Sequence, residues 1–343
     1  MCEVGKKGLM RVIGVAMSIV GALHTFPTFA DEVRGKENLC IWKSGINAER
    51  LAKSDAALYA LKDVRVKSAL KKHLPFGKPK RITGGRGKNE IVLAGPYFVI
   101  HYDKDLRSPL WTAHHLTKEQ AALAPKIHPT RAEERRDSFR SDPRLDPDER
   151  AFCSDYKEKT FDQGHMVPNA DIDWIDIEAG YSIGMDHSFL MSNMTPQHCE
   201  FNRGPWLVLE DLGRKWAGNA PETWIISGTV FDADGNAGRD ADGDAKRMEN
   251  HIGIESVAIP THQYKILVRK DGTKWSTLSF IIPNDETMVS NAQRLGYLSD
   301  HIQTLDDIAV ASGLRFLNGK TVVEGTALWP HTGKLQSVLT GRC

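Results

Sequence analysis

The sequence predicts an α+β fold with a central, mostly antiparallel sheet flanked by helices. Short apolar runs of strand length recur at residues 91–93, 97–100 and 224–230. Two more runs, residues 264–268 and 275–282, are joined by Lys270-Asp271-Gly272, which has the composition of a hairpin turn. Residues 288–311 repeat apolar side chains at three- and four-residue steps, as an amphipathic helix does. Strands interspersed with helices, and joined by short turns, favour this fold class.

Residues 1–30 have the composition of a secretory signal peptide. Lys6, Lys7 and Arg11 precede an apolar core at residues 12–23, and small residues stand before Asp31. The core is shorter than the ~20 residues that a membrane span needs. We therefore expect cleavage, export to the periplasm or the medium, and no stable membrane insertion afterwards, with an uncleaved anchor as the alternative.

Residues 31–90 are predicted to be an extension that precedes a main domain at residues 91–343. Residues 46–74 resemble a helix, and the Gly-, Pro- and Lys-rich residues 75–88 resemble a linker. The chain has a net charge of only +1, but residues 62–88 carry ten basic side chains against the single acid Asp63. This stretch is either a phosphate-binding surface or an ordinary solvated helix face.

Four cysteines remain after the predicted cleavage: Cys40, Cys153, Cys199 and Cys343. An even number in an exported chain favours disulfides, and the sequence leaves their connectivity open. No pair has Cys-x-x-Cys spacing, so the pattern does not favour a metal site.

Residues 162–210 contain side chains suited to the hydrolysis of a phosphodiester. His165 has a side chain that is neutral near pH 7 and can accept a proton from water. Asn202 offers an amide oxygen, which a hard cation prefers, and Glu210 follows eight residues later. Pro205 fits only a first helical turn, so the helix is expected to begin near Asn202, for which a helix N-cap is the alternative. Asn193 either orients His165 or holds the adjacent loop.

Three segments carry a resemblance to a known family: residues 162–168 (DQGHMVP), 192–197 (SNMTPQ) and 202–210 (NRGPWLVLE). They resemble the DNA/RNA non-specific endonucleases of the ββα-metal superfamily, and the likeness extends over residues 96–316. The resemblance implies a metal-dependent endonuclease with His165 as general base, Mg²⁺ (or Mn²⁺) held by Asn202, and Glu210 acting through the water shell of the ion. It also implies 5′-phosphate products and little sequence preference.

Upstream residues 135–142 resemble the family's Arg-x-x-x-Phe-Arg-x-Asp segment, which assigns transition-state stabilisation to Arg135. Substrate contacts are then expected from Asp162, Gln163, Arg203 and Arg140. Gln163 departs from the family pattern, which has arginine there. A weakened or inactive nuclease fold that only binds nucleic acid is therefore the alternative.

The resemblance also concerns the partners of the protein, and the sequence contains one further candidate metal site. DNA and/or RNA is the expected partner, and a homodimer and an inhibitor protein are further options that the resemblance raises. Residues 232–244 open like a calcium loop but have Gly243 where the closing glutamate should stand, so Ca²⁺ at Asp232–Asp244 is a minor alternative to a solvated turn. His262 is expected to be structural.

Overall fold

The structure is a computed structural model that describes residues 48–59, 63–82, 89–123, 139–157, 160–173, 177–178, 181–231, 250–254 and 256–324. Its helices of six or more residues are α1 Ala48–Tyr59, α2 Asp63–His73, α3 Lys118–Leu123, α4 Ile183–Ser188, α5 Leu207–Gly218, α6 Arg294–Asp300 and α7 Leu305–Ser312, and a short helical turn lies at Cys199–Phe201. Its strands are β1 Lys80–Arg81, β2 Glu90–Ala94, β3 Val99–Asp103, β4 Ser108–Thr117, β5 Phe161–His165, β6 Ile177–Glu178, β7 Tyr181–Ser182, β8 Met194–His198, β9 Glu222–Val230, β10 His251–Ile252, β11 Val257–Ala258, β12 His262–Asp271, β13 Lys274–Pro283, β14 Ile302–Gln303, β15 Leu314–Arg315 and β16 Val322–Glu324.

The main sheet has the strand order β14-β13-β12-β9-β4-β3-β2, and β16 pairs with β13. The β13–β16 pair is parallel and the other pairs of this sheet are antiparallel, so the predicted fold class is confirmed. The predicted hairpin is β12–β13, which turns through Gly272 at a φ of +58°. Only glycine adopts that backbone region without a steric cost, which explains the turn at this position.

Helices cover both faces of the sheet, and successive side chains of each strand point to opposite faces. On one face, Ile225 and Leu267 pack with residues of α5 and α6. On the other, Ile226 and Ile266 pack with residues of α2 and α7. The sheet therefore separates α5 from α2, and the basic residues that α2 carries lie across the sheet from α5.

The segment before the sheet packs against it. The Trp224 indole donates a hydrogen bond of 2.9 Å to the backbone oxygen of Lys72, and the buried Phe76 ring contacts the rings of Trp224 and Trp275. Strand β1 pairs with β15. The prediction of a linker at residues 75–88 is therefore wrong for residues 76–81, because the buried Phe76 and strand β1 attach this segment to the rest of the domain. The Gly-, Pro- and Lys-rich composition did not indicate this.

The helix expected over residues 288–311 is two shorter helices, α6 and α7, separated by β14. Thr304 begins α7 by accepting a hydrogen bond from the Asp307 backbone N–H, and the Asp307 carboxylate accepts from the Thr304 N–H in return. This capping box satisfies two backbone donors at the new helix start, so the chain restarts there although the apolar spacing continues.

Several predictions fall outside the described residues. These are the signal peptide, Arg135, the Asp232–Asp244 loop, Cys40 and Cys343. Within the described part of the chain, no helix is long and apolar enough to cross a membrane.

Candidate active site

A separate antiparallel hairpin, β5–β8, carries the first two motifs. Gln163 pairs with Pro196 and His165 pairs with Met194. Because side chains alternate along a strand, Gln163 and His165 share one face and Asp162 lies on the other. The chain continues from β8 through a turn at residues 199–206 into α5. Two strands and a helix thus bring the three motifs together.

His165 lies at the end of β5 in an aromatic setting. The ring of Phe189 stands edge-on at 4.9 Å between centroids and that of Phe139 at 6.0 Å. The fully buried Trp206 donates its indole N–H to the backbone oxygen of His165 over 3.1 Å. The position of the histidine backbone is therefore tied to the turn that precedes α5.

Asn193 holds the loop that follows His165. Its side-chain oxygen accepts from the Val167 N–H at 3.0 Å, and its amide nitrogen donates to the oxygens of Val167 and Ser188 at 3.0 and 2.9 Å. The side chain is fully buried, so these bonds are protected from water. Of the two roles considered for Asn193, the structure shows the loop-holding one.

Gly164 is required by close packing between the two strands. A Cβ atom at this position would collide with the side chain of Gln197 on β8. Gln197 is itself buried and donates to the side chain of Gln263 on β12 over 2.7 Å. The glycine in the motif therefore lets the hairpin dock on the main sheet.

Asp162 organises the turn after β8. Its carboxylate accepts from Asn202 Nδ2 at 2.9 Å, from Arg203 Nε and Nη2 at 2.9 and 2.6 Å, and from the Cys199 thiol at 3.4 Å. A carboxylate only accepts hydrogen bonds, so the amide nitrogen of Asn202 must face it and Oδ1 is fixed on the opposite side. Asp162 is thus a positioning residue for Asn202, a role that the sequence did not assign to it.

The cysteines only partly follow the prediction. Cys199 is not in a disulfide, so the expectation that the four cysteines pair is wrong for this one. Its thiol instead donates to the Asp162 carboxylate. Burial, and after it the charge of Asp162, raise the pKa of the Cys199 thiol. Cys153 is disulfide-bonded.

The helix does not begin regularly at Asn202. Residues 202–206 form a π-type turn in which Gly204 has non-helical dihedral angles, and α5 proper begins at Leu207. Pro205 lies inside this irregular turn, where it has no N–H to donate to a regular helix. Asn202 caps the end of the preceding short helical turn, so the N-cap alternative is not observed.

Glu210, on α5, is influenced by several charged groups on that helix and on neighbouring elements. Burial raises its pKa well above the usual carboxyl range, against the lowering effect of Lys265 and Arg214, and Asp171 and Asp211 raise it further. Arg214 pairs with Asp171 at 2.6 Å and also with Asp211. Glu210 as a whole residue keeps part of its surface exposed, while its carboxylate is buried enough to raise its pKa.

Arg140 is not in the site. Its side chain is 2% exposed and donates to the Asp55 carboxylate on α1 at 2.6 and 2.9 Å and to the Asp186 backbone oxygen at 2.6 Å. The expectation that Arg140 binds substrate is therefore not supported, because a phosphate cannot reach a guanidinium group that is buried and already paired. In contrast, the side chain of Arg203 is 70% exposed.

The donor set fits a hard cation bound through few protein ligands. No group of three or more His, Cys, Asp or Glu side chains among the described residues is placed to hold a metal. Asp162 orients the Asn202 oxygen, and Mg²⁺ characteristically keeps several waters and takes only one or two ligands from the protein.

The sequence did not predict that a buried lysine packs beneath the residues of the site. Lys265 is fully buried on β12, with its ammonium group 4.1 Å from the centre of the Trp206 ring. The available signal was a lysine within the apolar run at residues 264–268.

The sequence and the fold are both similar to those of known nucleases. A model of the DNA/RNA non-specific endonuclease family matches residues 81–322. Nuclease C1 of Cunninghamella echinulata var. echinulata is 29% identical over 71% of this chain and 87% of its own. Endonuclease G, mitochondrial, and Nuclease EXOG, mitochondrial, both of Homo sapiens, are each 27% identical, over 64% and 63% of this chain. The match spans 67% of the former and only 54% of the latter. A solved structure of the EndoG/EndoGI complex, described as showing the mechanism of EndoG inhibition, matches with a TM-score of 0.59 and 25% identity, over 74% of this chain and 96% of that one.

Proposed function

Because the chain belongs to the DNA/RNA non-specific endonuclease family, we propose that it is a metal-dependent endonuclease that hydrolyses phosphodiester bonds in DNA, RNA or both. The observation that carries this proposal is the joining of two motifs around one turn. Trp206 fixes the backbone of His165, while Asp162 fixes the amide of Asn202. These contacts fix the positions of a general base and a metal ligand relative to each other, and hydrolysis at a phosphate requires such positioning.

His165 takes the proton from the attacking water. Its imidazole is the side chain whose ordinary pKa suits that task near neutral pH. The rings of Phe139 and Phe189 restrict its orientation, and Asn193 prevents the following loop from drifting. The protein thus contributes a base whose direction is set before substrate binds.

Asn202 would hold Mg²⁺ or Mn²⁺ through Oδ1, and Glu210 would accept a hydrogen bond from the water shell of the ion. When bound, the ion supplies positive charge beside the leaving 3′ oxygen. Attack from the opposite side then leaves a 5′-phosphate, as the family resemblance implies. Glu210 is suited to hold or release a proton there because its pKa is raised toward neutrality.

Substrate binding is assigned to the exposed cation Arg203 and to Gln163, which shares the strand face of His165. Arg135 remains the proposed transition-state cation on the basis of its motif alone. Contacts of this kind reach phosphates and not base edges, so low sequence specificity is expected.

Export to the periplasm or medium is proposed from residues 1–30 alone. The names of EXOG and Endonuclease G place those relatives in mitochondria. N-terminal sequencing of the protein recovered from each cell fraction decides this point: a chain that begins at Asp31 outside the cytoplasm supports export.

A homodimer and an inhibitor protein are also proposed as partners. The inhibitor is supported by the similar solved structure, which is described as an EndoG/EndoGI complex that shows the mechanism of EndoG inhibition. The homodimer rests on the family resemblance alone, and the molecular mass in solution tests it.

The function is tested on supercoiled plasmid and single-stranded RNA, with Mg²⁺, with EDTA and with His165→Ala. His101→Ala is a matched control, since His101 lies on β3 and pairs with Glu90, away from the hairpin. Metal-dependent cutting that is lost in His165→Ala and kept in His101→Ala supports the proposal. Binding without cutting under every divalent metal would instead mean that this chain only captures nucleic acid.

A further inference from the structure

Lys265 occupies a position that packing would assign to an apolar side chain. It precedes Leu267 on the face of β12 that packs against α5, and its exposed fraction is 0%. Burying an ammonium group is costly unless charged or polar partners compensate. The partners of Lys265 therefore indicate why a lysine stands there.

One set of contacts leads to the base. Lys265 Nζ donates a hydrogen bond of 2.7 Å to Ser227 Oγ on β9 and lies 4.1 Å from the centre of the Trp206 ring. A cation over an indole face is attracted by the ring quadrupole, more strongly when it is removed from water. The same indole donates its N–H to the oxygen of His165. Lys265 is thus two contacts away from the proposed base.

The other set leads to Glu210, which follows Trp206 by four residues and so lies on the same side of the helix. The charged groups that act on Glu210 are Lys265 from β12, Arg214 and Asp211 from α5, and Asp171 from the loop after β5. Asp171 is itself hydrogen-bonded to His114 on β4 at 2.8 Å. Lys265 is the cation of this group that comes from the sheet.

We propose that Lys265 is a positioning residue: its ammonium group holds the Trp206 ring, and through the indole N–H of that ring it holds the backbone of His165. The inference rests on the proposed function, because it names how that same site is supported. Burial lowers the pKa of Lys265, and the charges of Glu210 and Asp171 oppose that lowering without cancelling it.

A purely structural role predicts a different outcome. Methionine has a similar length and no charge, and Glu210, whose pKa is already raised, can take up a proton when the cation is lost, so Lys265→Met is not expected to leave an uncompensated buried charge. If Lys265 matters only for packing, Lys265→Met should leave catalysis intact. If it serves the site, activity should fall in a protein that is as stable as before.

The experiment compares Lys265→Met and Lys265→Arg with Lys270→Met. Lys270 is a matched control because it lies on the same strand, with its ammonium group 5.4 Å from the centre of the Trp275 ring, on the other side of the sheet from His165. The measurements are kcat and KM from acidic to alkaline pH and the thermal unfolding midpoint. The indole ¹⁵N–¹H resonance of Trp206, assigned by its loss in Trp206→Phe, is recorded for each variant.

We expect Lys265→Met to lower kcat about ten-fold at neutral pH with little change in KM, and to shift the acid limb of the rate profile upward by about one pH unit. Lys265 lowers the pKa of Glu210, so loss of this cation favours the protonated form of Glu210 and moves the acid limb to higher pH. Lys265→Arg should recover part of the shift, and Lys270→Met should match the wild type.

The proposal is overturned if Lys265→Met keeps the wild-type pH profile and kcat, or if its loss of activity is matched by loss of folded protein. A wild type that cuts nothing would refute the proposed function instead. Lys265 would then be judged by the Trp206 indole resonance, and an unchanged resonance in Lys265→Met would refute the positioning role.

Discussion

Replacing Asp162 by asparagine tests whether the site depends on the orientation of one amide. The carboxylate accepts bonds from Asn202 and from two nitrogens of Arg203. An asparagine at this position has only one oxygen and presents an NH₂ group in place of the other. That group would face a donor of either Asn202 or Arg203, so Asn202 would no longer be held with Oδ1 directed away from residue 162.

The size of the effect of Asp162→Asn on Mg²⁺ dependence is set by the bond to Asn202 and not by the bonds to Arg203. Arg203 is 70% exposed, and an exposed ion pair contributes only about 0–1 kcal/mol. The bond to the partly buried Asn202 fixes a metal ligand, and loss of such support typically costs about 10–100-fold in metal affinity or activity. The orientation of Asn202 therefore dominates, and we expect a ten-fold or larger rise in the Mg²⁺ concentration needed for half-maximal cleavage.

The assay is the initial rate of plasmid cleavage as a function of Mg²⁺ concentration, for wild type, Asp162→Asn and Glu200→Gln. Glu200 is an exposed acid on the same turn, so its replacement changes local charge and leaves the Asp162–Asn202 bond intact. The reasoning is refuted if Asp162→Asn has the wild-type Mg²⁺ dependence, or if Glu200→Gln shows the same rise.

Three further predictions concern the support of the site. Arg140→Met leaves Asp55 without its cation and should lower the free energy of unfolding in urea by about 3 kcal/mol. The cleavage rate per folded molecule should not change. A raised KM at unchanged stability would show instead that Arg140 binds substrate. Burial alone would raise the pKa of Asp142, but Arg144 and Ser192 outweigh it and lower that pKa from 3.8 to about 2. The resulting stabilisation, about 2 kcal/mol, is complete above pH 3.8 and lost as the pH falls through about 2, so unfolding free energies of wild type and Asp142→Asn should differ at neutral pH and converge in acid. Asn193→Ala strands the Val167 N–H and should lower both the unfolding midpoint and kcat, whereas a change in KM alone would argue against a loop-holding role.

The features that were predicted from sequence are those that neighbouring residues determine. The β12–β13 hairpin follows from two apolar runs and a glycine between them, and the three motifs could be placed because each is a short local pattern. Strand β4 was missed because its sequence contains a proline and two histidines, which do not resemble a buried strand. Its histidines find partners far along the chain, His114 at Asp171 and His115 at Glu222.

The burial of Lys265 was likewise beyond local pattern. Its compensation comes from Ser227, Trp206 and Glu210, which belong to three different parts of the chain. The opposite error occurred at Arg140, where a motif position suggested substrate contact and a carboxylate 85 residues earlier occupies the guanidinium group instead. In both cases the decisive partner is brought in by tertiary packing.

Helix α1 lies outside the residues that match the family, yet it packs against residues inside that match and is part of the same folded unit. The match begins at residue 81, yet Arg140 inside it takes its counter-charge from Asp55 outside it. The same helix supplies the Ser54 oxygen to His187 and Arg50 to Asp186. A chain trimmed to the matched residues would strand a buried cation one residue from Phe139, whose ring touches His165. Any shortened version for biochemical work should therefore begin before residue 48.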